Sequence, residues 1–591
     1  MSELDTIGSL VRKAESDFIN GNITVSKYVN ESPCDDLAKI SAYLNSKHTS
    51  GDKDTLNRDK PFFNITVAKK NIVARATDLD RKNIRAKASK MKDELASFLF
   101  TIKVQQWMKD SKFGIFLNNW GDTLAGYNSA IVKSVENKDG LHVMVMDWQK
   151  MIVDFIDFDS NPKIEILELT EAQLRQNKSY DQDMVEALCN ALTVRTLTNK
   201  QKKDNKPNFI KLYEIHGNLP LSYLTDKEED EYTYVQQMHV ISFVASKQKG
   251  KFDDYTLVSG REKKDPYMLT YLIPSTDGSI SLNGAVKNLF EAQWMKNHTV
   301  KAIKDYLDLA SKLIYQTSDS SFANKNALSA IESGDIMVHK ENMPITQVQN
   351  STNDVTALTN FGVMWENLAS DLANVPDILQ GDNMPSGTAF RQAAIVQQEA
   401  HSNFGVMIEN KGLFLEELFK EHITPYILKQ MDTTEEISAT LDSYGIDKID
   451  QMYIGSEAVK RFNHKAVEAV INRTELPNLD QERAGVQQEL AQSSQRYLKP
   501  SDIETKTWKE VLGDFEASMV YDIVDENRDV QATLDTLNNT FQILASNPAI
   551  LQNPQAKMLF NKILSASGEV SPVELANVPE PALVGVENQN V

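Results

Sequence analysis

Cysteine is scarce in this chain: Cys34 and Cys189 are the two among 591 residues. They lie far apart in unlike surroundings, so the sequence suggests neither a disulfide framework nor a Cys-rich metal site, and a reducing place of synthesis fits best. No apolar run approaches the length that spans a bilayer, and the opening Met1–Asp5 lacks the basic and apolar regions of a secretory leader. Neither membrane insertion nor secretion is expected. Cations are in deficit, with Lys+Arg 63 against Asp+Glu 83 and a net charge of -20. This argues against tight nonspecific DNA binding, whose affinity comes mainly from phosphate neutralisation. It is compatible with a wall past which a duplex slides, since like-charge repulsion keeps phosphates from being held; it also simply keeps a large assembly in solution. The nine histidines do not reach metal-ligand spacing, and HExxH, GxSxG and GxGxxG are missing. Asp154, Asp157 and Asp159 lack the glycine of a calcium loop, carry Phe155, Ile156 and Phe158 in the intervals, and read as a turn between strands. No catalytic residue, cofactor or metal is expected.

What is present is a hydrophobic content of 41%, enough for a substantial core in about three or four structural units. The first sixty residues alternate short helical patterns with polar breaks and read as a peripheral arm. From Ile65 to Trp107 the apolar spacing is mainly helical. Its basic positions, among them Lys69, Lys70, Arg75 and Arg81, read as a solvated face or, more sharply, as a site for an anionic partner. Between 140 and 275 short β-like runs take over, at Leu141–Met146, Lys163–Leu169, Phe209–Ile215 and Val235–Val244, joined by charged connectors.

From Leu282 the seam steps by fours and threes through Val286, Leu289, Gln293, Lys296, Val300, Ile303 and Leu307 to Ile314. That is one helix of roughly 45 to 50 Å, whose two polar positions suit packing between copies of itself with part of the surface wet. The polar stretch Thr317–Asn353 holds strand-like cores at Asp335–His339 and Ile345–Val348, and a two-stranded ribbon is marginal alone. Helical spacing returns upstream of Asn374 and again from Thr388 to about Leu428, where Pro425 kinks or shortens it. A strand at Ser518–Val524, a helix from about Val530 to Ala545 and a Pro-containing acidic tail complete the chain. The fold class is α+β, mainly α.

Residues 374–390 (NVPDILQGDNMPSGTAF) interrupt two helical patterns with a Gly/Pro/Asn-rich loop, where the function is placed. A phosphate loop at 381–388 would need a lysine after its second glycine; Gly387 is instead followed by Thr388 and Ala389, and helix rather than strand precedes it. An interhelical turn with Ser386 or Thr388 as N-cap, or a loop projecting into a channel, satisfies the same residues.

The order Pro376-Asp377, then Ser386-Gly387-Thr388-Ala389, then a long Gln/Ala/Glu-rich helix resembles the core of tailed-bacteriophage portal proteins. Residues 61–82 (PFFNITVAKKNIVARATDLDRK), Asp122–Tyr127, Val143–Asp159 and Leu169–Leu174 are similar to further portal landmarks in the same order, so that the resemblance covers about residues 60–430. It implies a non-enzymatic dodecameric ring at one capsid vertex of the virion, assembled in the host cytoplasm. Double-stranded DNA would pass through it during packaging and ejection, and the terminase large subunit, a tail adaptor and the major capsid protein would dock on it. It divides the chain into an N-terminal arm (1–60), a wing of helices and small β-sheets (61–281), a stem helix (282–316), a clip (317–353), a second stem helix (354–375), a tunnel loop (376–388), a long wing helix (389–430), a C-terminal wing and crown (431–569) and a disordered tail (570–591). It assigns Pro376, Asp377, Gly381, Asp382, Asn383, Pro385, Ser386 and Gly387 to the DNA-facing loop. Val286, Leu289, Lys296, Val300, Ile303 and Leu307 fall in the stem, and Lys325, Asp335, His339 and Lys340 in the clip. Alternatives are a multi-helical virion or scaffold protein without a channel, and a nucleotide-dependent enzyme using 381–388.

Overall fold

The computed structural model describes residues 6–20, 23–26, 29–79, 81, 84–88, 94–138, 140–198, 209–225, 232–246, 251–310, 315–320, 340–347, 355–373, 390–430, 437–440, 454–455, 457–467, 469, 477–490, 495–498 and 519–523. The first half of the chain runs through helix α1 (Ile7–Asn20), strands β1 (Ile23–Ser26) and β2 (Val29–Glu31), helices α2 (Pro33–Leu44) and α3 (Ile65–Ala76), strand β3 (Ile84–Ala88), and helices α4 (Glu94–Asp110) and α5 (Phe113–Tyr127). Then come β4 (Ser129–Asn137), β5 (Gly140–Val145), β6 (Met151–Ile152), β7 (Lys163–Leu169), α6 (Glu171–Gln176), α7 (Gln182–Thr198), β8 (Ile210–Pro220), α8 (Ser222–Thr225), β9 (Tyr234–Ala245), β10 (Phe252–Arg261) and β11 (Tyr267–Tyr271). The remainder holds α9 (Ala285–Asn288), α10 (Phe290–Ala310), β12 (Tyr315–Gln316), β13 (Thr346–Gln347), α11 (Val355–Leu372), α12 (Phe390–Leu418), α13 (Thr424–Gln430), β14 (Ile437–Thr440), α14 (Leu479–Leu490), β15 (Gln495–Leu498) and β16 (Met519–Ile523). The fold is mixed α+β, with antiparallel sheets.

The chain forms two compact units, Met1–Asp78 with Ile115–Lys411, and Leu79–Gly114 with Gly412–Val591. Leu79–Gly114, within the segment 61–281, groups with the C-terminal part.

In the first unit a five-stranded sheet has the order β10-β9-β8-β7-β6, and a three-stranded sheet the order β11-β4-β5. The larger sheet is apolar on both faces because alternate residues of each strand meet different helices. Ile210, Leu212, Val240 and Val244 pack with Leu174, Val185 and Leu188 of α6 and α7. Tyr213, Ile215 and Ile241 turn the other way and pack with Val11 of α1. The four short runs expected as strands coincide with β5, β7, β8 and β9. The first sixty residues are not a peripheral arm: Val11 is buried against the large sheet, and Leu37, Ile40 and Tyr43 of α2 join a cluster with Ile131, Trp148, Phe155 and Val286. Their amphipathic spacing is what a core-facing helix shows, and the sheets supply the apolar surface that covers it.

The second unit, described by itself, pairs β3 with β16 antiparallel, Ile84 opposite Ile523. The expected strand near 518–524 is thus present, while the helical spacing assigned from Ile65 to Trp107 is broken by β3. Trp107, Phe113 and Phe419 cluster with ring centroids 5.3 to 6.4 Å apart. At Pro425, expected to kink or shorten the helix, the helical path continues to Gln430, and a π-turn over Phe419–Ile423 precedes α13. Proline removes an N–H and crowds the preceding turn, and the widened turn absorbs both. The expected helix at 530–545 and the tail lie outside the described residues.

Lys411 is a buried cation of the first unit. Its Nζ donates to the Thr77 carbonyl at 2.5 Å and lies 4.9 Å from the Trp120 ring centroid. Burial pushes its pKa down to about 8, against the opposing pull of Asp78. Because the folded value is depressed, the unfolded chain binds more protons between about 8 and 10.5, and stability rises with pH across that window. The charged form costs on the order of 3 kcal/mol at neutral pH. Lys411→Met is expected to abolish this rise while conserving volume, seen as a wild-type-minus-variant difference in unfolding midpoint that climbs between about pH 8 and 10. A flat difference across that range would contradict the assignment.

Candidate functional site

The segment expected as stem begins where backbone crowding sets it. A Cβ on Gly284 would meet the Gly126 carbonyl oxygen at 2.5 Å and the Asn128 nitrogen at 2.6 Å, so glycine is required at this N-cap and helix starts at Ala285. A single helix over 282–316 is therefore corrected: α9 ends at Asn288, α10 runs from Phe290 to Ala310 for about 30 Å, and Tyr315–Gln316 are strand. Along the seam Val286 and Leu289 are fully buried, Val300 and Ile303 are half-buried, and Leu307 is exposed, so burial fades toward the far end of the helix.

The two polar seam positions are used inside the chain and do not give a wet surface between copies. Gln293 is completely buried; its Oε1 accepts from the Ile65 and Thr66 amides at 2.9 and 3.1 Å, and its Nε2 donates to the Phe63 carbonyl at 2.7 Å. Asn297, one turn on, accepts from the Phe63 amide at 2.9 Å. The α3 N-terminus has its own cap, the Asn64 side chain accepting from Val67 N, so α10 takes over amides that α3 cannot satisfy. Lys296 donates to Glu366 at 2.8 Å and to the Gly362 carbonyl at 3.3 Å. Thr299 also faces Gly362, where a Cβ would lie 3.4 Å from its methyl carbon, so α10 and α11 run antiparallel at close approach. Lys69 of α3 donates to Ser370 of α11 at 2.7 Å, and Lys70 pairs with Asp122 of α5. The solvated-face reading of this basic run fails at Lys69 and Lys70, which are buried.

One side of α11 is left in water. Phe361, Met364, Leu368 and Leu372 recur at helical spacing and are 38%, 45%, 40% and 53% exposed. A run of four apolar side chains on one helical flank is a feature of surfaces that meet a partner.

Between the helices, β12 pairs with β13, Tyr315 opposite Gln347 and Gln316 opposite Thr346. The expected strand at Ile345–Val348 is thus paired within the chain at Thr346 and Gln347. Lys340 is exposed at its tip but bonds the buried Asp319 at 2.9 Å, which makes it part of the ribbon's own structure. Lys325, Asp335 and His339 lie outside the described residues. So do Pro376, Asp377, Gly381, Asp382, Asn383, Pro385, Ser386 and Gly387, the whole of the expected tunnel loop.

Asp154 accepts from the Ile156 and Asp157 amides and from Asn161, forming the turn expected there. Among the described residues no group of three or more His, Cys, Asp or Glu is placed to hold a metal ion, and no helix is long and apolar enough to cross a membrane. Sequence reading missed Asn297, the Lys69–Ser370 bond and Lys411; a Gln and an Asn four residues apart on an apolar seam were the available signal. No protein-family model and no curated protein matches the chain.

Proposed function

We propose that the chain is the ring-forming portal subunit of a tailed bacteriophage, a non-enzymatic conduit for double-stranded DNA. The observation that carries this reading is the helical hairpin. Two helices, α10 and α11, are fastened to each other and to α3 through buried polar side chains, flank a polar insertion, and keep an apolar stripe exposed on α11. A subunit that meets copies of itself around an axis needs such a stiff element and such a face. The ordered resemblance along residues 60–430 supports the same assignment, and the net charge of -20 suits a wall that releases phosphates.

In this reading the hairpin forms the tunnel wall and residues 376–388 reach the duplex, with Asp377 and Asp382 repelling phosphates weakly. The ribbon and residues 317–353 receive the terminase large subunit and later the tail adaptor, and the outer regions meet the major capsid protein. ATP is hydrolysed by the terminase. Negative-stain electron microscopy of the purified chain tests it: closed rings with an axial hole are expected. A chain that stays monomeric at high concentration, intact and unaggregated, overturns the proposal.

A further inference from the structure

The two sheets of the first unit are joined by a buried ionic cluster that the portal reading leaves unused. Lys133 of β4 donates to Glu165 of β7 at 2.5 Å and to Glu214 of β8 at 2.9 Å. Tyr267 of β11 donates to Glu165 at 2.9 Å and sets its ring edge-on to His216, with centroids 5.3 Å apart. His216 of β8 lies between two carboxylates, Nε2 to Glu214 and Nδ1 to Glu262, both at 2.7 Å. Lys163, opposite His216 in the β7–β8 register, bonds Asp265 at 2.7 Å. His239 of β9 also faces the cluster: burial and the charge of His216 depress its pKa to about 4, leaving it neutral.

A carboxylate at each ring nitrogen decides the state of His216. A carboxylate only accepts, so both nitrogens must donate, and an imidazole that donates twice carries a proton on each. Glu262 follows β10 and Asp265 precedes β11, so the residues held by His216 and Lys163 lie on the segment that links one sheet to the other.

We propose that His216 is a proton-operated clasp, which in its charged form pins the inter-sheet connection 262–266 through Glu262 and in its neutral form releases it. Lys163–Asp265 is a second pin, which keeps the segment attached when the first opens. Burial works to lower the His216 pKa, but the hydrogen bonds and charges of Glu214 and Glu262 prevail and hold it above 6.5. The sign follows: a raised folded pKa gives a contribution fully present below 6.5 and lost as pH rises through the folded value. Burial likewise opposes ionisation of Glu214, but His216 and Lys133 bring its pKa down to about 2, so the carboxylate side persists across the whole window.

Hydrogen exchange with mass spectrometry on the full chain tests the clasp. A peptide that starts upstream of Glu262 and runs through Tyr267 reports the Glu262 amide, bonded to the Gln236 carbonyl at 3.0 Å, and the Tyr267 amide, bonded to Asp265 at 2.9 Å. After correction for intrinsic rate, exchange there is expected to be several-fold faster at pH 9 than at pH 6, because the contact with Glu262 is lost with the His216 proton. Strands β8 and β9 should stay protected at both. Both His216→Gln and Glu262→Gln should remove the pH step, the second while leaving the imidazole in place. An equal corrected rate at both pH values in the wild type, or a step that survives in either folded variant, overturns the proposal.

Discussion

Gln293→Leu is expected to destabilise the first unit by about 3 to 5 kcal/mol, a large effect for a single polar-to-apolar exchange of similar size. The replacement adds apolar contact, so a simple burial argument gives the opposite sign. The decisive term is what stays behind. The Thr66 amide at the buried start of α3 loses its acceptor, while the Ile65 amide and the Phe63 carbonyl keep only their bond to each other, at 3.0 Å. The stranded Thr66 amide costs about 1 to 3 kcal/mol, and the other lost bonds, to the Ile65 amide, the Phe63 carbonyl, the Thr66 hydroxyl and Asn297, about 1 each, while the gain from burying a leucine is about 2. Gln293→Glu should fall between, since it keeps the acceptor for both amides, and a negative charge at a helix N-terminus is favourable. Urea unfolding, with hydrogen exchange on residues 63–76 to locate the damage, measures both. A Leu variant within about 0.5 kcal/mol of the wild type would show that α3 does not depend on this clamp.

The double variant Met364→Glu, Leu368→Glu is expected to leave the monomer folded and to eliminate rings altogether. Both side chains already stand in water, so the folded subunit changes by less than about 0.5 kcal/mol per site. In a ring each subunit uses the same face toward a neighbour, so every interface acquires two carboxylates in an apolar contact, each costing several kcal/mol to desolvate. The loss is therefore all-or-none. Sedimentation velocity compared with Lys304→Glu on the exposed side of α10 reads it out. Rings that persist in the double variant would move the subunit contact off this stripe.

Local pattern made much of the fold legible. Strands β5, β7, β8 and β9 fell where short β runs were expected, because alternation is a property of neighbouring residues. The turn at Asp154 and the span of α11 were readable for the same reason. Strand β3 was not: it sits inside helical spacing and exists because β16, some four hundred residues away, offers it a ladder. The first sixty residues were read as an arm because amphipathic spacing alone does not say what covers the apolar side. At the hairpin the periodicity through Val286, Leu289 and Val300 was visible, but the job of its polar members was inverted. Gln293 looked like a concession to water, and is instead the most enclosed hydrogen-bonding group of the seam.

By itself, then, the sequence determined composition class, the α+β mixture and the placement of most local elements, since these depend on residues within a few positions of one another. The tertiary structure alone decided the role of each polar side chain: that Lys69, Lys340 and Gln293 serve bonds within the chain, that Lys411 is buried over an indole, and that His216 meets a carboxylate on each side. Apart from Glu214, two residues from His216, those partners lie tens to hundreds of residues away, and a buried donor is stable only where folding brings its acceptor.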